Sequence, residues 1–296
     1  MDCHTIIKNV VFNLLGENYE IVKQFQDSRL HKKYDVFLVK YNNKQYVVKK
    51  TNSRETIISN KYLANHDFKT LKILNEHTDQ DGNCWILYNY IDLKDARHRN
   101  IQVMRQCGNA IAEIHAFYLK KNTSEDLDTE RTVRYYRKKS ESLQNYPLLY
   151  AAASIAIQRV NSAPITLCHE DLLPINILCD ETQAVIIDFE EAYFLAYFLD
   201  PARFVTHYDY NNTHYISKSS QAIFLSTYYQ CIKKVWTDLS KKQYYYDLTC
   251  GRFLEAMIIF VNMTDDTNKL TYNLYLNDLN QYANCILSRN DNQERN

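Results

Sequence analysis

Apolar and polar residues repeat along the chain with two different periods, and the period of a strand dominates about the first ninety residues. Residues 5–15 are the exception, because their apolar side chains recur at helical spacing and Gly16 follows as a helix end. Three later stretches alternate as strands do: 20–25, 34–41 and 44–50. Asn42 and Asn43 separate the last two stretches and predict a tight hairpin turn.

A helix and two further strands complete this region. Residues 52–64 begin with Asn52 or Ser53 as a helix cap and continue as a short helix. The segments TLKIL at 70–74 and CWILYNYI at 84–91 predict two more strands, joined by the turn DQDGN. The pattern therefore predicts a small antiparallel sheet with one helix inserted after its third strand.

From about residue 100 the period changes to that of helices. The predicted helices are 101–119, 148–160, 216–238, 243–263 and 272–288. Two short strand-like pieces, 176–180 and 184–190, flank a turn. The composition shifts at DLKDARHRN, residues 92–100, so we expect an N-terminal lobe at 1–91 and a helical C-terminal lobe at 92–296. The predicted fold class is α+β.

Composition narrows the classes of function. The 296 residues carry 35 basic and 35 acidic side chains, and this balance gives no support for a nucleic-acid partner. There is no signal-peptide pattern and no apolar window long enough to span a membrane, so we expect a soluble, cytoplasmic monomer. The eight cysteines are scattered without a CxxC pair, which favours free thiols. Cys168, beside His169, is interpreted as a packed thiol rather than a nucleophile, and His169 as a structural hydrogen-bonding residue.

The stretch LCHEDLLPINIL, residues 167–178, interrupts apolar sequence with polar side chains. Asp171 and Asn176 are ordinary turn residues, and a turn is one interpretation. The other is a loop that holds a general base and a metal ligand at a fixed separation. Asp188 in VIIDFE favours the loop, because an apolar strand rarely ends in an unpartnered carboxylate, and a hairpin would bring it close to Asn176. Phosphoryl transfer uses such a set: a base for the hydroxyl proton, and Asn and Asp oxygens for magnesium.

The same chemistry needs a lysine on a sheet to neutralise the nucleotide phosphates. The strand YVVKK offers Lys49, whose face also presents Val47, whereas Lys50 points the other way unless the register slips by one. The following helix offers Glu55 to hold that lysine. The alternative for Glu55 is an ordinary first-turn acid, favoured there by the helix dipole.

The motifs HEDLLPIN and IIDFE together resemble those of the aminoglycoside phosphotransferase and choline kinase superfamily, whose members share the protein-kinase-like fold. The segments AIAEIH, WILYNYID and LDPARF are similar to further landmarks, and the match is collinear over roughly residues 20–205. The resemblance implies a two-lobed kinase-like fold. It also implies transfer of the terminal phosphoryl group of ATP or GTP, with magnesium, to a small-molecule hydroxyl.

The resemblance further implies roles for individual residues. Asp171 would be the catalytic aspartate, and Asn176 and Asp188 would be magnesium ligands. Lys49 would contact the nucleotide phosphates, with Glu55 paired to it. The residues implied to contact the nucleotide are Val47, Lys49, Leu178, Ile187 and the hinge residues Tyr88, Asn89, Tyr90 and Ile91.

Three features depart from the superfamily pattern, and one of them is that Glu55 lies only six residues after Lys49, so the connection between them must be tight. The loop QDSRLHKK between the first two strands has no glycine, so its backbone cannot approach phosphates as a Gly-rich loop does. Ser28, Arg29 or Lys32 would have to substitute for it. Glu170 stands directly before the catalytic aspartate, where the superfamily usually carries a small or neutral residue.

The charge distribution between Arg159 and Arg203 is one-sided, since the intervening sequence has no Lys or Arg. It contains eight acids: Glu170, Asp171, Asp180, Glu181, Asp188, Glu190, Glu191 and Asp200. Glu190 and Glu191 exceed what catalysis and magnesium require, and they favour an acceptor that carries an amine or quaternary ammonium. A solvated acidic turn is the alternative interpretation.

The leading hypothesis is therefore a small-molecule kinase. A protein kinase is disfavoured because the eleven residues between Asp188 and Asp200 contain no Ser or Thr, which leaves no phosphorylatable activation loop. A binding-only pseudokinase remains the alternative because of the missing glycines. A helical adaptor without nucleotide binding is the third possibility.

Overall fold

The computed structural model describes residues 3–26, 33–121, 129–209, 211–263 and 269–293. Contacts between residues divide the chain into two compact units. The first unit is Met1–Lys94 with Val185–Ala192, and the second is Asp95–Ala184 with Tyr193–Asn296. None of the described helices combines the length and the apolar character that crossing a membrane requires. The domain boundary between residues 91 and 92 stays a prediction.

The described residues of the first unit form a five-stranded antiparallel sheet in the order β1-β2-β3-β5-β4. Its strands are β1 (Tyr19–Gln26), β2 (Lys33–Tyr41), β3 (Lys44–Thr51), β4 (Asn75–Thr78) and β5 (Cys84–Asn89). Helix α1 (Cys3–Leu15) precedes the sheet. The apolar stripe of α1 and the inward residues of the sheet form one core, which includes Val11, Val39, Val48 and Trp85. Each fully buried aliphatic side chain contributes about 1.5–3 kcal/mol to such a core.

Two turns of this unit are formed by the residues that predicted them. Asn42 and Asn43 have φ of 47° and 61°, and Tyr41 pairs with Lys44 across the turn. A two-residue hairpin with positive φ at both positions follows the twist of the strands, and Asn tolerates this conformation. Gly16 has φ of 88° and donates its N–H to the carbonyl of Phe12, which ends α1.

The inserted helix is capped by Asn52, one of the two residues predicted as its cap. The side chain of Asn52 accepts hydrogen bonds from the N–H groups of Arg54 and Glu55, at 3.0 and 3.1 Å. Helix α2 (Ser53–Ile57) follows this cap and continues as a π-helical turn over Ile58–Leu63. The predicted helix at 52–64 is therefore confirmed, and its cap fixes Glu55 in the first turn.

The predicted strand at 70–74 is wrong, because β4 begins only at Asn75. The apolar alternation of the segment is real, since Leu71 and Ile73 are half-buried and Lys72 between them is exposed. A single backbone bond, from the N–H of Leu74 to the carbonyl of Leu87, ties this extended segment to the sheet. Burial on one side therefore gives this segment the alternating pattern of a strand, although it lacks the repeated backbone hydrogen bonds of a paired strand.

The second unit is mainly helical. Its helices are α3 (Ile101–Lys121), α4 (Thr129–Ser140), α5 (Pro147–Ser162), α6 (Leu199–Thr206), α7 (Lys218–Val235), α8 (Lys241–Val261) and α9 (Lys269–Gln293). The short strands after the first sheet are β6 (Lys94–Asp95), β7 (Ile165–Cys168), β8 (Ile177–Cys179), β9 (Ala184–Ile186) and β10 (Tyr193–Ala196). Strands β7 and β10 pair antiparallel. The predicted α+β class is confirmed, although helix α4 is too polar and helix α6 too short to stand out in the sequence.

Tyrosines fill much of the core of this unit. Tyr197, Tyr228 and Tyr244 are fully buried, and each hydroxyl donates to an acceptor: Oδ2 of Asp247, the carbonyl of Tyr197 and the carbonyl of Leu225. A buried tyrosine needs such a partner to avoid an unsatisfied polar group. Trp236, which follows α7, packs edge-on against the ring of Tyr197 at 5.4 Å.

One of the few glycines has a packing role in this unit. Helices α3 and α7 pack together, and a Cβ on Gly108 would lie 2.8 Å from the carbonyl oxygen of Phe224. No side chain fits at that distance. Gly108 therefore permits the close approach of the two helices.

Candidate active site

Lys49 lies in β3 and contacts several carboxylates of the first unit. Its ammonium is 2.6 Å from Oε2 of Glu55 and 3.8 Å from Oε2 of Glu190, and it also donates to Oδ1 of Asp188. The next residue, Lys50, is more exposed, and its ammonium lies 3.9 Å from Oδ2 of Asp35. Strand alternation thus separates the two lysines as expected. We call Lys49, Glu55, Asp188 and Glu190 the lysine cluster.

Glu55 is buried at 1% exposure and is held by several donors. The hydroxyl of Tyr88 donates to Oε1 at 3.1 Å, and the hydroxyl of Thr51 donates to Oε2, the oxygen that faces Lys49. Burial by itself lowers the pKa of Lys49, but the negative charges of Glu55 and Asp188 outweigh it and raise the pKa above its ordinary value. The lysine is therefore fixed in its charged form.

Asp188 adopts a left-handed backbone conformation with φ of 71° and ψ of 59°. This conformation costs most non-glycine residues about 1–2 kcal/mol, and Asp is among the few that tolerate it. Asp188 follows β9 and caps a single 3₁₀ turn, Phe189–Glu191. The turn presents Glu190 beside Asp188, and Glu191 is exposed. Burial and the charge of Asp188 raise the pKa of Glu190.

Carboxylate oxygens of the lysine cluster could hold a hard cation. One oxygen each from Glu55, Asp188 and Glu190 lie within 4.8 Å of one another. Oxygen ligands of this type suit magnesium or calcium. Among the described residues around this set, Lys49 supplies the balancing positive charge that the ion would share or displace.

The residues predicted to contact the nucleotide lie on both units. Val47 faces Tyr88 across the β3–β5 pair, and the N–H of Tyr90 donates to the carbonyl of Gln45 at 3.1 Å. Asn89 and Ile91 are neighbours of Tyr90 in the chain, and Ile187 directly precedes Asp188. Leu178 lies in β8 of the second unit. The predicted phosphate contacts from Ser28, Arg29 and Lys32 lie outside the described residues.

The second unit contains the loop at 169–176, which we call the aspartate loop. Asp200, at the start of α6, accepts the N–H of His169 at 2.7 Å and the N–H of Glu170 at 3.0 Å. His115 on α3 lies 3.1 Å from the same carboxylate. Glu170 has φ of 63°, so these two bonds hold a backbone conformation that would otherwise be unfavourable. Asp200 and His115 are buried at 1% and 0% exposure, which makes the support rigid.

Asp171 is held at both of its carboxylate oxygens. Nη2 of Arg203 donates to Oδ1 at 2.7 Å, and Nδ2 of Asn176 donates to Oδ2 at 3.1 Å. The same Nδ2 donates to the backbone carbonyl of Asp171 at 2.8 Å. Asn176 is therefore oriented with its amide nitrogen toward Asp171, which leaves its Oδ1 as the atom for any other ligand.

Arg203 was not anticipated from the sequence. Its guanidinium bridges Asp171 and Glu255, with Nη1 of Arg203 2.9 Å from Oε2 of Glu255. Burial lowers the pKa of Arg203, but the charges of Glu255 and Asp171 outweigh it and raise the pKa. One carboxylate of the acidic run between Arg159 and Arg203, that of Asp171, is thus paired directly with a cation.

The sequence signals for these supporting residues were weak. Arg203 and Asp200 both belong to LDPARF, which was noted only as a landmark. Glu255 lies 52 residues from Arg203 in a helix whose other positions are mostly apolar. Thr51 is one residue beyond the predicted strand. No local period connects positions so far apart.

Comparisons with known proteins agree with this geometry. A family model described as the phosphotransferase enzyme family matches residues 32–214, which is more than half of the chain. A search of the curated proteins gives no match. Many solved structures resemble the chain in fold, and the three described next have sequence identities of 11–16% with it.

The first of these structures is the choline kinase LicA from Streptococcus pneumoniae, with 16% identity and TM-score 0.62, covering 95% of this chain and 99% of that chain. The second is the GDP complex of aminoglycoside 2'-phosphotransferase-IIIa, with 11% identity and TM-score 0.60, covering 95% and 99%. The third is the amicoumacin kinase hAmiN in complex with AMP-PNP, Ca²⁺ and Ami, with 13% identity and TM-score 0.62, covering 98% and 94%. The predicted kinase-like fold is confirmed by these likenesses.

Proposed function

This chain belongs to the phosphotransferase enzyme family of small-molecule kinases, and we propose that it transfers the terminal phosphoryl group of ATP or GTP to a hydroxyl of a small, amine-bearing molecule. The observation that carries the proposal is the lysine cluster. A charged lysine on a strand, fixed by a buried glutamate and bonded to the aspartate of IIDFE, is the arrangement that nucleotide phosphates and their metal require.

Lys49 is proposed to bind the nucleotide phosphates. Its ammonium is compact and positively charged, and Glu55 keeps it in place through a bond that is itself supported by Tyr88 and Thr51. A phosphate oxygen can replace Asp188 or Glu190 as a partner of Lys49 without disturbing the Lys49–Glu55 bond. Val47, Tyr88, Asn89, Tyr90, Ile91, Leu178 and Ile187 are proposed to contact the rest of the nucleotide.

Asn176 and Asp188 are proposed as the ligands of magnesium. The carboxylate of Asp188 and the free Oδ1 of Asn176 are hard oxygen donors of the kind that magnesium prefers. When bound, the ion would neutralise charge on the phosphates during transfer. The side chain of Asn176 needs no reorientation for this role, because its nitrogen is already committed to Asp171.

Asp171 is proposed to accept the proton of the attacking hydroxyl. Arg203 and Asn176 each bind one of its oxygens and so set the plane of the carboxylate. A fixed carboxylate orients the hydroxyl, and in a loose transition state this positioning matters as much as proton transfer itself. Glu255 keeps Arg203 from neutralising Asp171 completely, since it shares the guanidinium.

An acceptor with an amine or quaternary ammonium is supported by the surplus of carboxylates. Glu190 and Glu191 are proposed to attract it, and Glu191 is exposed. The positive charge of Arg203 would repel an acceptor amine located at Asp171. We therefore expect the amine of the acceptor to lie some distance from its reacting hydroxyl.

A nucleotide-consumption assay tests the proposal. The purified chain is incubated with magnesium and ATP or GTP against aminoglycosides, choline, ethanolamine and neutral sugar alcohols. Acceptor-dependent consumption with an amine-bearing compound, and phosphorylated product by mass spectrometry, is the expected result. Nucleotide binding without turnover on any acceptor would instead favour a pseudokinase, and failure to bind nucleotide would favour a helical adaptor.

A further inference from the structure

A cavity of about 420 Å³ lies within the second unit, away from every residue assigned above. It is lined by His98, Arg99, Thr213, His214, Ser217 and Lys218. None of these six is acidic, and four carry nitrogen groups that are or can become positively charged. Its volume lies in the range typical of small-molecule sites, about 300–1,000 Å³.

Two of the lining residues each have a nitrogen atom that is shielded from water and has no hydrogen-bond partner among the described residues: Nε of Arg99 and Nδ1 of His214. Arg99 is anchored from the other end of its guanidinium, because its Nη2 donates to the carbonyl of Cys179 at 3.3 Å. Buried donors without partners are costly and uncommon in folded proteins. Nε of Arg99 is such a donor at every pH, and Nδ1 of His214 becomes one when its ring is protonated, so a ligand with acceptor oxygens would satisfy both.

Asp209, an acid that contacts the lining residue His98, uses its carboxylate oxygens for other donors. The carboxylate of Asp209 accepts the N–H groups of Asn211 and Thr213 at 2.8 and 2.9 Å, and the hydroxyl of Thr213 at 2.9 Å. Oδ2 of Asp209 lies 3.5 Å from Nε2 of His98, which is a long contact. Helix α7, whose first residue is Lys218 and whose cap is Ser217, begins beside the cavity and adds the positive end of its dipole.

We propose that this cavity is an anion site that binds the phosphate group of a small phosphomonoester, with Arg99, Lys218 and His214 as its ligands. Arg99 and Lys218 supply permanent charge, and the space beyond the phosphate accommodates an organic substituent. The site goes beyond the function proposed above, because none of its residues is assigned to nucleotide, metal or acceptor.

His214 makes the proposed site sensitive to pH. Nδ1 of His214 has no hydrogen-bond partner among the described residues, and it becomes a donor when the ring is protonated. Burial lowers the pKa of His214, and so do Arg252 on α8 and Lys218 on α7, while Asp278 on α9 acts to raise it. The ring is therefore neutral near pH 7, and an anion should bind together with a proton.

Isothermal titration calorimetry on the full chain tests the site, with sulfate, inorganic phosphate and ethyl phosphate as probes at constant ionic strength. Sulfate remains a dianion between about pH 6 and pH 8, so its affinity reports the protein's protonation alone. The expected result is one saturable site, tighter for the ester than for inorganic phosphate. Sulfate should bind at least several-fold more tightly at pH 6 than at pH 8, since the uptake of one proton changes the affinity by up to about tenfold per pH unit. In His214→Gln this pH dependence should disappear.

Arg99→Gln and Lys218→Gln should each weaken ethyl phosphate binding by about tenfold, the effect of losing one charge-assisted bond. Lys218 is exposed, so its variant is informative even if Arg99→Gln folds poorly. Lys234→Gln removes a charge from the other end of α7 and should leave binding unchanged, as should Lys49→Ala. Absence of saturable binding, equal losses in Lys234→Gln, or indifference to both Arg99→Gln and Lys218→Gln would overturn the site. None of these results depends on turnover, so the proposed kinase activity fails or stands separately.

Discussion

The lysine cluster and the aspartate loop satisfy their charges in opposite ways. In the lysine cluster, one ammonium faces the carboxylates of Glu55, Asp188 and Glu190, so negative charge is in excess. In the aspartate loop, Asp200 is matched by two backbone N–H groups and His115, and Asp171 is matched by Arg203. The first arrangement is incomplete, whereas the second is complete without any ligand.

This difference in charge balance suggests a different role for each region. An incomplete cluster can admit a cation or exchange a carboxylate for a phosphate at little cost, because it gains the charge that it lacks. A complete loop loses stability if any member is removed, and it keeps a fixed geometry while the substrate changes. We therefore expect variants of the lysine cluster to alter ligand binding, and variants of the aspartate loop to alter turnover or folding.

The largest effect is expected for Asp171→Asn. Turnover should fall by about 10²–10⁴, the usual contribution of a general base, while nucleotide affinity stays within a few-fold. Steady-state kinetics and calorimetry measure the two quantities. Asp180→Asn, in the exposed turn after β8, is the matched control and should retain activity. Full activity in Asp171→Asn would remove Asp171 from the mechanism.

Lys49→Ala should weaken nucleotide binding or lower turnover by about 10–100-fold, since a charge-assisted hydrogen bond contributes about 1.5–3 kcal/mol. Lys50→Ala should do little, because the ion pair of Lys50 with Asp35 is long, at 3.9 Å, and exposed. Nucleotide titration of the two variants is a direct comparison of the two faces of β3. The reverse result would contradict the role given to Lys49.

Asp200→Asn should lower the free energy of unfolding by about 1–3 kcal/mol, because a buried acceptor of several donors is lost. Asp238→Asn, an exposed acid, is the control and should change it little. Denaturant unfolding followed by circular dichroism gives both values. Equal stability of the two variants would mean that the aspartate loop does not depend on Asp200.

The same variant has a pH signature. Burial raises the pKa of Asp200, but the hydrogen bond from His115 and the charges of His115 and His169 outweigh it, and the folded pKa lies below its ordinary value. The resulting stability is present above the unfolded pKa of about 3.9 and is lost as pH falls through the lower folded pKa. Asp200→Asn should therefore lose less stability than the wild type below about pH 4.

Asp188→Ala should abolish the tightening of nucleotide binding by magnesium, which we expect to be about tenfold in the wild type. The measurement is calorimetry with and without magnesium. Asp67→Ala, an exposed acid of the same unit, should keep the magnesium effect. Unchanged magnesium dependence in Asp188→Ala would be incompatible with Asp188 as a ligand.

The smallest effect is expected for Glu191→Gln and Glu190→Gln, which should raise the Michaelis constant of the acceptor a few-fold and lower turnover less. Glu191 is the cleaner test, because Glu190 also lies 3.8 Å from Lys49. The acceptor's apparent affinity should weaken as salt rises, since exposed charges are screened over about 8 Å at physiological ionic strength. Glu130→Gln is the exposed control. Efficient, salt-independent use of a neutral acceptor would contradict an amine-bearing one.

The sequence predicted the elements whose signals are local. Asn42–Asn43 determine a turn, Asn52 caps α2, and apolar periodicity marks α3, all of which depend on residues within one or two turns of each other. The strand at 70–74 failed because one-sided burial gives the same alternation as a ladder. The predicted antiparallel sheet followed by helices is confirmed at the level of fold class.

The candidate site was accessible from the sequence only in part. Lys49, Glu55, Asp171, Asn176 and Asp188 stand in motifs, and their roles stay predictions. Arg203 and Glu255 were missed because each acquires its meaning from a contact across 32 or more residues. A count of charges along the chain treated Arg203 as the end of an acidic run, whereas in space it lies on Asp171.

Each of the two units contains one of the two tryptophans, so tryptophan fluorescence can follow the units separately. Trp85 is in the core of the first unit, where Nε1 donates to Oδ2 of Asp79 at 2.8 Å, and Trp236 packs on Tyr197 in the second. Trp85→Phe and Trp236→Phe would each leave a single tryptophan, so emission excited at wavelengths that tyrosine does not absorb would report one unit at a time. Coincident transitions from the two variants would identify one cooperative folding unit, and separated transitions would give each unit its own melting curve.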